Sequence, residues 1–211
     1  MSKLSVNKIV KTLVETDLFF VSSFGLIAPI FAIFITKQIQ GGDVRVVGFA
    51  AGIYWILKSI LQIPIGRLLD KIGGEKDDLY FLVAGYFITA LVPFGYIFSH
   101  LPWHIYLLEA IHSVGMALAI PAWAGMFTRH IDHGKEAFEW SLESTGLSFG
   151  TGVTGIVGGI LVSKIGFNFV FMLVGIVAII GALLPLLISK DVAPHGDHHL
   201  RFSKIKKPPS L

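Results

Sequence analysis

The chain has 211 residues, of which 54% are hydrophobic and only 15% are charged, and its mean hydropathy is +0.73. Soluble domains carry about 25% charged residues, so this composition excludes an ordinary soluble enzyme or binding domain and indicates a membrane protein. The absence of cysteine excludes disulfides and thiolate metal sites. The net charge of +3 comes without the basic stripe that would indicate nucleic-acid binding.

Six windows are long and apolar enough to cross a bilayer as helices. A helix rises ~1.5 Å per residue, so it needs about 20 residues to cross a ~30 Å hydrocarbon layer. The windows are residues 17–36, 46–65, 79–99, 104–127, 142–163 and 167–189. We predict an all-α membrane protein with a six-helix transmembrane domain over residues 17–189. Strands are not expected, because the windows lack the residue-by-residue alternation of membrane barrels.

Two short segments flank this domain. Residues 1–16 place Val6, Ile9, Val10 and Leu13 at helical spacing beside lysines, which predicts an amphipathic helix on the cytoplasmic membrane surface. A frayed basic terminus is the alternative. Residues 190–211 are predicted to be a basic cytoplasmic tail.

The distribution of basic residues predicts the orientation. Of the 16 Lys and Arg residues outside the windows, 13 fall in the two terminal segments, the 66–78 connection and the connection between windows four and five. Cytoplasmic segments of membrane proteins carry the excess of Lys and Arg. We therefore expect a multi-pass protein of the cell membrane with both termini in the cytoplasm.

The connection over residues 66–78, GRLLDKIGGEKDD, is dense in charge and glycine and separates two apolar windows. We expect this segment to reach the water interface and turn straight back. Its internal order is Gly66, Asp70, Lys71 and Gly73, with Arg129 predicted at the same end of window four.

Polar side chains at membrane depth fall on windows one, two, four and five. Window two has Lys58 and Gln62 one turn apart, and window four has Glu109, His112 and Ser113 on one face. Windows one and five contribute serines and threonines, whereas windows three and six contain no Asp, Glu, Lys, Arg or His. Polar groups at this depth face protein or water. We predict that windows one, two, four and five line an interior, that three and six face lipid, and that the chain is a three-plus-three repeat.

The 66–78 segment resembles the signature loop of the major facilitator superfamily, in which glycine, aspartate, a basic residue and glycine stand where this chain has Gly66, Asp70, Lys71 and Gly73. Window five is similar to the family's glycine-rich fifth helix, which here has the following glycines: Gly155, Gly158 and Gly159. The proline usual in that helix is missing, Gly74 and Glu75 depart from a more basic loop pattern, and window four lacks the arginine often found in its membrane portion. The resemblance covers nearly the whole chain, which corresponds to one half of a twelve-helix transporter.

This resemblance implies that Asp70 pairs with Arg129 and that the 66–78 segment, with Gly66, Lys71 and Gly73, holds one conformation of a gate. A simple interfacial ion pair is the alternative, and such a pair contributes little when exposed. The window-five glycines are expected to be packing surfaces, because small residues let membrane helices approach closely. A conformational hinge is the other interpretation of those glycines.

Lys58 is costly at its predicted depth, about 2.5–3.5 kcal/mol by insertion scales. It could pair structurally with Glu109 or His112, act on a substrate or proton, or extend its ammonium toward the interface. We select Lys58, Gln62, Glu109, His112 and Ser113 as candidates for solute binding or coupling. The three alternatives for Lys58 stay open at this point.

The pattern as a whole predicts a transporter that moves a small solute by alternating access, as a homodimer of half-transporters in a lipid bilayer. A non-transporting accessory or remnant protein, and a fragment of a twelve-helix transporter, are the alternatives. No catalytic site, metal or cofactor is expected. The stretch Gly146–Gly150 matches G-x-S-x-G, but it lies inside a predicted helix and not at a strand-to-helix turn.

Overall fold

The computed structural model describes residues 6–192, and within them it contains seven α-helices and no strand. The helices are α1 (Lys8–Gly25), α2 (Phe31–Gln38), α3 (Val44–Ile72), α4 (Glu75–Ile97), α5 (Pro102–His130), α6 (Glu136–Ile165) and α7 (Phe167–Leu183), and α7 continues into a 3₁₀ turn at Leu184–Ile188. The all-α class predicted from the sequence is confirmed. Most of the predicted tail, residues 193–211, and the start of the predicted head, residues 1–5, lie outside the described residues.

Five of these helices, α3 to α7, are long and apolar enough to cross a membrane. The first predicted window, residues 17–36, contains parts of two helices, α1 and α2, separated by a turn over residues 26–30. Pro29 lies in this turn and cannot donate a backbone hydrogen bond, so it favours a break there. The expected count of six uninterrupted helices is therefore not confirmed.

The predicted surface head does not form a separate helix. α1 begins at Lys8, where the Asn7 side chain accepts a hydrogen bond from the backbone N–H of Ile9, and it runs without a break past residue 16. Ile9, Val10 and Leu13 are buried in a core cluster that also contains residues of α3, α4 and α5. The apolar face of residues 6–13, which predicted a helix on the membrane surface, packs instead against the neighbouring helices of the bundle.

The 66–78 segment is mostly helical and not an extended connection. α3 continues to Ile72, and α4 begins at Glu75, so the turn between them consists of Gly73 and Gly74. Gly73 caps α3 in the left-handed conformation, with φ of 69°, which residues with a side chain rarely adopt.

The N-terminal end of α3 is capped by Asp43. Its side chain accepts hydrogen bonds from the backbone N–H groups of Arg45 and Val46. A further hydrogen bond, from the Arg45 side chain, is the main cause that lowers the pKa of Asp43.

Helix contacts follow an internal two-fold pattern. α4 and α7 pack together at the centre, α5 packs on α4 and carries α3, and α1 packs on α7 and carries α6. Exchanging α1 with α5, α3 with α6 and α4 with α7 reproduces the contacts among these six helices, and the contact of α2 with α3 stands outside this pattern. The exchanged helices run in opposite directions, as in the inverted repeats of secondary transporters. The predicted three-plus-three repeat is thus visible in the packing.

Burial within the single chain divides four of the helices into two pairs. In the most apolar stretches of α4 and α7, 44% of residues are buried, against 17% in α3 and 6% in α6. α3 and α6 were expected to line an interior, but each packs along essentially one helix, α5 or α1. α4 and α7 contact more neighbours and expose only their outer sides, so their lack of charged residues reflects protein burial as well as lipid contact.

Both ends of the described chain lie at the same end of the helix bundle. The Asn7 side chain donates to the backbone carbonyl of His130 at the end of α5, with a distance of 3.3 Å. Lys8 forms an ion pair of 2.7 Å with Asp191. This end also carries the turn between α3 and α4. The side of the membrane that it faces stays a prediction.

Candidate functional site

A cavity of about 320 Å³ lies beside the break between α1 and α2. Its walls come from both sides of the break, from the first half of α3, and from α4 and α5. The residues that line it are Phe24, Ile27, Ala28, Phe31, Ala51, Tyr54, Trp55, Tyr96, Glu109 and His112. The turn in the first window therefore forms part of the wall of this cavity.

Glu109 is the acidic side chain of this cavity and is only 6% exposed. Tyr96 of α4 donates its hydroxyl to Glu109 Oε1 at 2.5 Å. The other carboxylate oxygen, Oε2, lies 3.5 Å from His112 Nδ1, one turn along α5. That nitrogen satisfies no hydrogen-bond geometry with any described atom, so the contact between Glu109 and His112 is electrostatic proximity and not a formed hydrogen bond.

His112 forms part of the aromatic wall. Its ring is stacked on Phe24 with centroids 5.3 Å apart, and it lies 4.5 Å from the Tyr54 ring. These contacts fix the plane of the imidazole between α1 and α3. The structure thus brings together two residues that the sequence selected, Glu109 and His112, and adds Tyr54 and Tyr96 as their partners.

Lys58 lies next to this cavity without lining it. Its ammonium lies 3.9 Å from the centroid of the Trp55 ring and 5.0 Å from that of Tyr54. Among the described residues, Lys58 has no carboxylate within 4 Å, so the predicted direct pairing with Glu109 is not observed. Aromatic faces attract cations at these distances, and Tyr54 therefore connects Lys58 with the ring of His112.

The remaining two candidates lie elsewhere. Gln62 lines a separate open groove of about 510 Å³ together with Ser59, Gly66 and Asp70. Ser113 donates to the backbone carbonyl of Glu109 at 2.6 Å and lies 3.1 Å from that of Tyr54. Ser113 is therefore a packing residue between α3 and α5.

The predicted pairing of Asp70 with Arg129 is wrong in this structure. Arg129, at the end of α5, pairs with Asp78 in the first turn of α4, and its Nε lies 3.9 Å from Glu75. His130 Nε2 also lies 3.7 Å from Glu75. Asp70 and Lys71 are exposed at the end of α3. α4 packs directly along α5, so its first-turn acids reach Arg129, whereas Asp70 belongs to the preceding helix.

Comparison with known proteins agrees with this architecture. The sequence profile described as Major Facilitator Superfamily matches residues 18–210 of the chain. The chain belongs to the major facilitator superfamily. It is a multi-pass membrane protein of a family of transporters, as the resemblance predicted.

Three transport proteins that are similar to this chain in sequence are longer than it is. The inner membrane transport protein YajR of Escherichia coli is 29% identical over 82% of this chain and 38% of its own length. An uncharacterized MFS-type transporter, MJ1560, of Methanocaldococcus jannaschii is 26% identical over 80% of this chain and 42% of its own length. The voltage-gated purine nucleotide uniporter SLC17A9 of Mus musculus is 31% identical over 55% of this chain and 26% of its own length. The chain thus spans about two fifths of the first two relatives.

The glycines of α6 differ in their surroundings. A Cβ at Gly158 would collide with the backbone carbonyl of Leu26, the residue that caps the end of α1. At Gly155 it would only touch Pro29, at 3.9 Å, and the Gly25 carbonyl oxygen, and at Gly159 it would meet nothing within 4 Å. Gly150, part of the G-x-S-x-G match inside α6, is equally close to Ser22. The close approach of α1 and α6 thus depends on Gly158 and Gly150, and not on all three glycines of the superfamily-like motif.

Sequence reasoning missed the buried acid Asp17. Asp17 in α1 is 5% exposed and accepts a hydrogen bond of 2.5 Å from the Tyr86 hydroxyl of α4. Glu143 of α6 is close enough to act electrostatically on both groups. Asp17 is the first residue of the predicted window one, in which the sequence analysis considered only serines and threonines. The amphipathic pattern of residues 6–16 continues into that window and could have signalled that the helix starts earlier.

Proposed function

We propose that the chain forms one six-span unit of a secondary transporter, in which α1 and α2 together make the first crossing, and that this unit moves a small solute by alternating access. The observation that carries the proposal is the cavity beside the α1–α2 break with Glu109 and His112 in its wall. Ionisable residues at membrane depth are costly and mark substrate or ion pathways. Broken helices at such a site are a recurrent feature of transporters.

A second unit would complete the cavity. α1 and α5 form a face flanked by α3 and α6, and these two flanking helices are the least buried of the apolar helices. A two-fold axis along the membrane normal would place α3 of one unit against α6 of the other. We propose a homodimer, and the alternative is a covalent partner half, as the greater length of the relatives allows.

The groove lined by Gln62, Gly66 and Asp70 supports a gate role for this end of α3. Asp70 and Arg67 line this groove and are exposed, and we place the partner unit against them. The Arg129–Asp78 pair fixes α4 to α5 within one unit, so it stabilises the frame on which the gate moves. We therefore propose that Asp70 and Lys71 take part in gating, and that Arg129 holds α4 and α5 together while the gate moves. We propose that the end of the bundle with the α3–α4 turn faces the cytoplasm at the cell membrane, as the distribution of basic residues predicts.

A non-transporting accessory or remnant protein is the second candidate. It would retain the fold but would not need the ordered contacts of Glu109 with Tyr96 and of His112 with Phe24 and Tyr54. The buried carboxylate and the histidine in this mainly apolar cavity therefore favour transport.

Uptake by the purified protein tests the proposal. Liposomes containing the protein are incubated with a pool of small metabolites, washed, and analysed by mass spectrometry. We expect at least one solute to accumulate with the wild-type protein and with Glu15→Gln, a carboxylate-to-amide control on the exposed side of α1. Glu109→Gln should reduce its uptake about 10-fold or more. If Glu109→Gln matches the control for every accumulated solute, the assignment of this cavity to transport is wrong.

A further inference from the structure

The charge on the cavity wall is one-sided. Among the described residues that line it, Glu109 is the acid, His112 is the group that can become cationic, and none is lysine or arginine. Lys58 is near, but its ammonium lies over the rings of Trp55 and Tyr54. An anion in the cavity would therefore meet the Glu109 carboxylate, while the Lys58 ammonium is already held against the Trp55 and Tyr54 rings.

One oxygen of the Glu109 carboxylate is available to a ligand. Tyr96 donates to Oε1 at 2.5 Å. Oε2 receives no hydrogen bond from the described residues, because His112 Nδ1, 3.5 Å away, lacks the geometry for one. A buried carboxylate with a single neutral donor is poorly stabilised, and a bound cation would supply the missing charge and donor.

The aromatic wall has the chemistry to hold the rest of such a cation. Aromatic faces carry negative electrostatic potential and attract cations whose charge lies within about 6 Å of the ring centroid. Trp55 and Tyr54 already hold the ammonium of Lys58 in this way, at 3.9 Å and 5.0 Å. Trp55 and Tyr54 also line the cavity. The two rings that hold the Lys58 ammonium therefore belong to the wall around the space in which a solute would lie.

We propose that the cavity binds a solute with an ammonium group on a small apolar or aromatic body, with Glu109 as its counter-ion and the rings of Tyr54 and Trp55 as its wall. The proposal rests on the proposed transport function and specifies its substrate class. The volume of about 320 Å³ lies at the lower end of ligand sites, which span roughly 300–1,000 Å³. A compact organic amine fits this size and charge.

Charged thiol reagents measure the preference of the cavity directly, because the chain has no cysteine of its own. Ala28→Cys places a thiol in the cavity wall, and Val44→Cys, at a position that is 79% exposed at the start of α3, serves as the reference. The full chain in detergent is treated with a trimethylammonium methanethiosulfonate and, separately, a sulfonate methanethiosulfonate. We expect the cation-to-anion rate ratio at Ala28→Cys to exceed that at Val44→Cys about 10-fold. An equal or inverted ratio overturns the proposal.

Adding Glu109→Gln to Ala28→Cys should bring the ratio back to the reference value, whereas Glu15→Gln should leave it unchanged. A ratio that persists in folded Glu109→Gln contradicts the assigned counter-ion. If Glu109→Gln does not fold, Trp55→Leu is compared with Trp103→Leu as its control. Both tryptophans are more than half exposed, but of the two only Trp55 lines the cavity. A lower ratio is expected for Trp55→Leu alone, and an unchanged one overturns the proposal.

Protection experiments then test a ligand of this class. Phenylethylammonium should slow modification of Ala28→Cys by an uncharged maleimide, and 3-phenylpropanoate, of similar size but opposite charge, should not. Protection by the anion alone, or by neither, contradicts the proposal. These measurements record binding in detergent without any transport. Cation binding with no uptake would remove the transport function alone, and uptake with no cation preference would remove this inference alone.

Discussion

Asp70 and Asp78 flank the same tight turn, but their surroundings differ. Asp78 is buried and paired with Arg129, whereas Asp70 is exposed. Asp78→Asn should therefore lower the stability of the protein by about 1.5–3 kcal/mol, the usual contribution of a hydrogen bond to a charged group. Asp70→Asn should change it by less than about 0.5 kcal/mol, as exposed substitutions generally do.

Thermal unfolding of the two variants in the same detergent measures this difference, with wild-type protein as the common reference. A larger loss for Asp70→Asn than for Asp78→Asn would restore the pairing that the sequence suggested and contradict the structure.

At the residue scale, sequence spacing identified Glu109 and His112, because residues three apart share a helix face. It could not identify Tyr54 and Tyr96, whose importance comes from contacts across α3, α4 and α5 that local spacing does not encode. The sequence analysis assigned Asp70 of α3 as the partner of Arg129, whereas the structure pairs Arg129 with Asp78 of α4. The choice between Asp70 and Asp78 depends on which helix packs along α5, which is a tertiary property.

At the scale of helices, α1 and α6 approach closely through selected small residues. Gly158→Ala would place its Cβ against the Leu26 backbone, which cannot move aside without shifting α1. We expect it to destabilise the protein by about 1–3 kcal/mol, the range for overpacking. Gly159→Ala has open space and should be neutral or gain about 0.4–1 kcal/mol from reduced chain entropy.

Melting temperatures of these neighbouring glycine-to-alanine variants test the helix contact with chemistry held constant. Equal effects at both positions would contradict the close approach of α1 and α6.

The apolar windows predicted the helices themselves well, since α3, α5 and α6 cover windows two, four and five, and α4 and α7 cover all but the last residues of windows three and six. The sequence analysis missed the break at Pro29, because membrane helices often tolerate proline, and the apolar composition of the window does not change there. It did not anticipate that α4 and α7 are the most buried of the five later helices within one chain. α4 and α7 lack charge, which is compatible with lipid as well as with a protein interior, so composition alone cannot distinguish these environments.

On the scale of the whole molecule, the proposed two-unit assembly makes a specific contact prediction. Ile56 and Val153 are exposed and lie twelve residues, about 18 Å, from the same end of α3 and α6. Two differently tagged chains carrying Ile56→Cys and Val153→Cys should form a disulfide in the membrane after mild oxidation. Phe87→Cys with Ile176→Cys, on the outer sides of α4 and α7, should not.

Cross-linking of the control pair in preference to the α3–α6 pair would contradict the proposed arrangement. A protein that stays monomeric by mass in nanodiscs would contradict the homodimer.

Alternating access itself is tested most directly by the accessibility of one cavity residue from both sides of the membrane. Ala28→Cys would be treated with a membrane-impermeant thiol reagent in intact cells and in inside-out vesicles, with Lys76→Cys and Pro102→Cys marking the two faces. We predict that Lys76→Cys reacts only from the cytoplasmic face, that Pro102→Cys reacts only from the opposite face, and that Ala28→Cys reacts from both. Reaction of Ala28→Cys from a single face would contradict a transport cycle through this cavity.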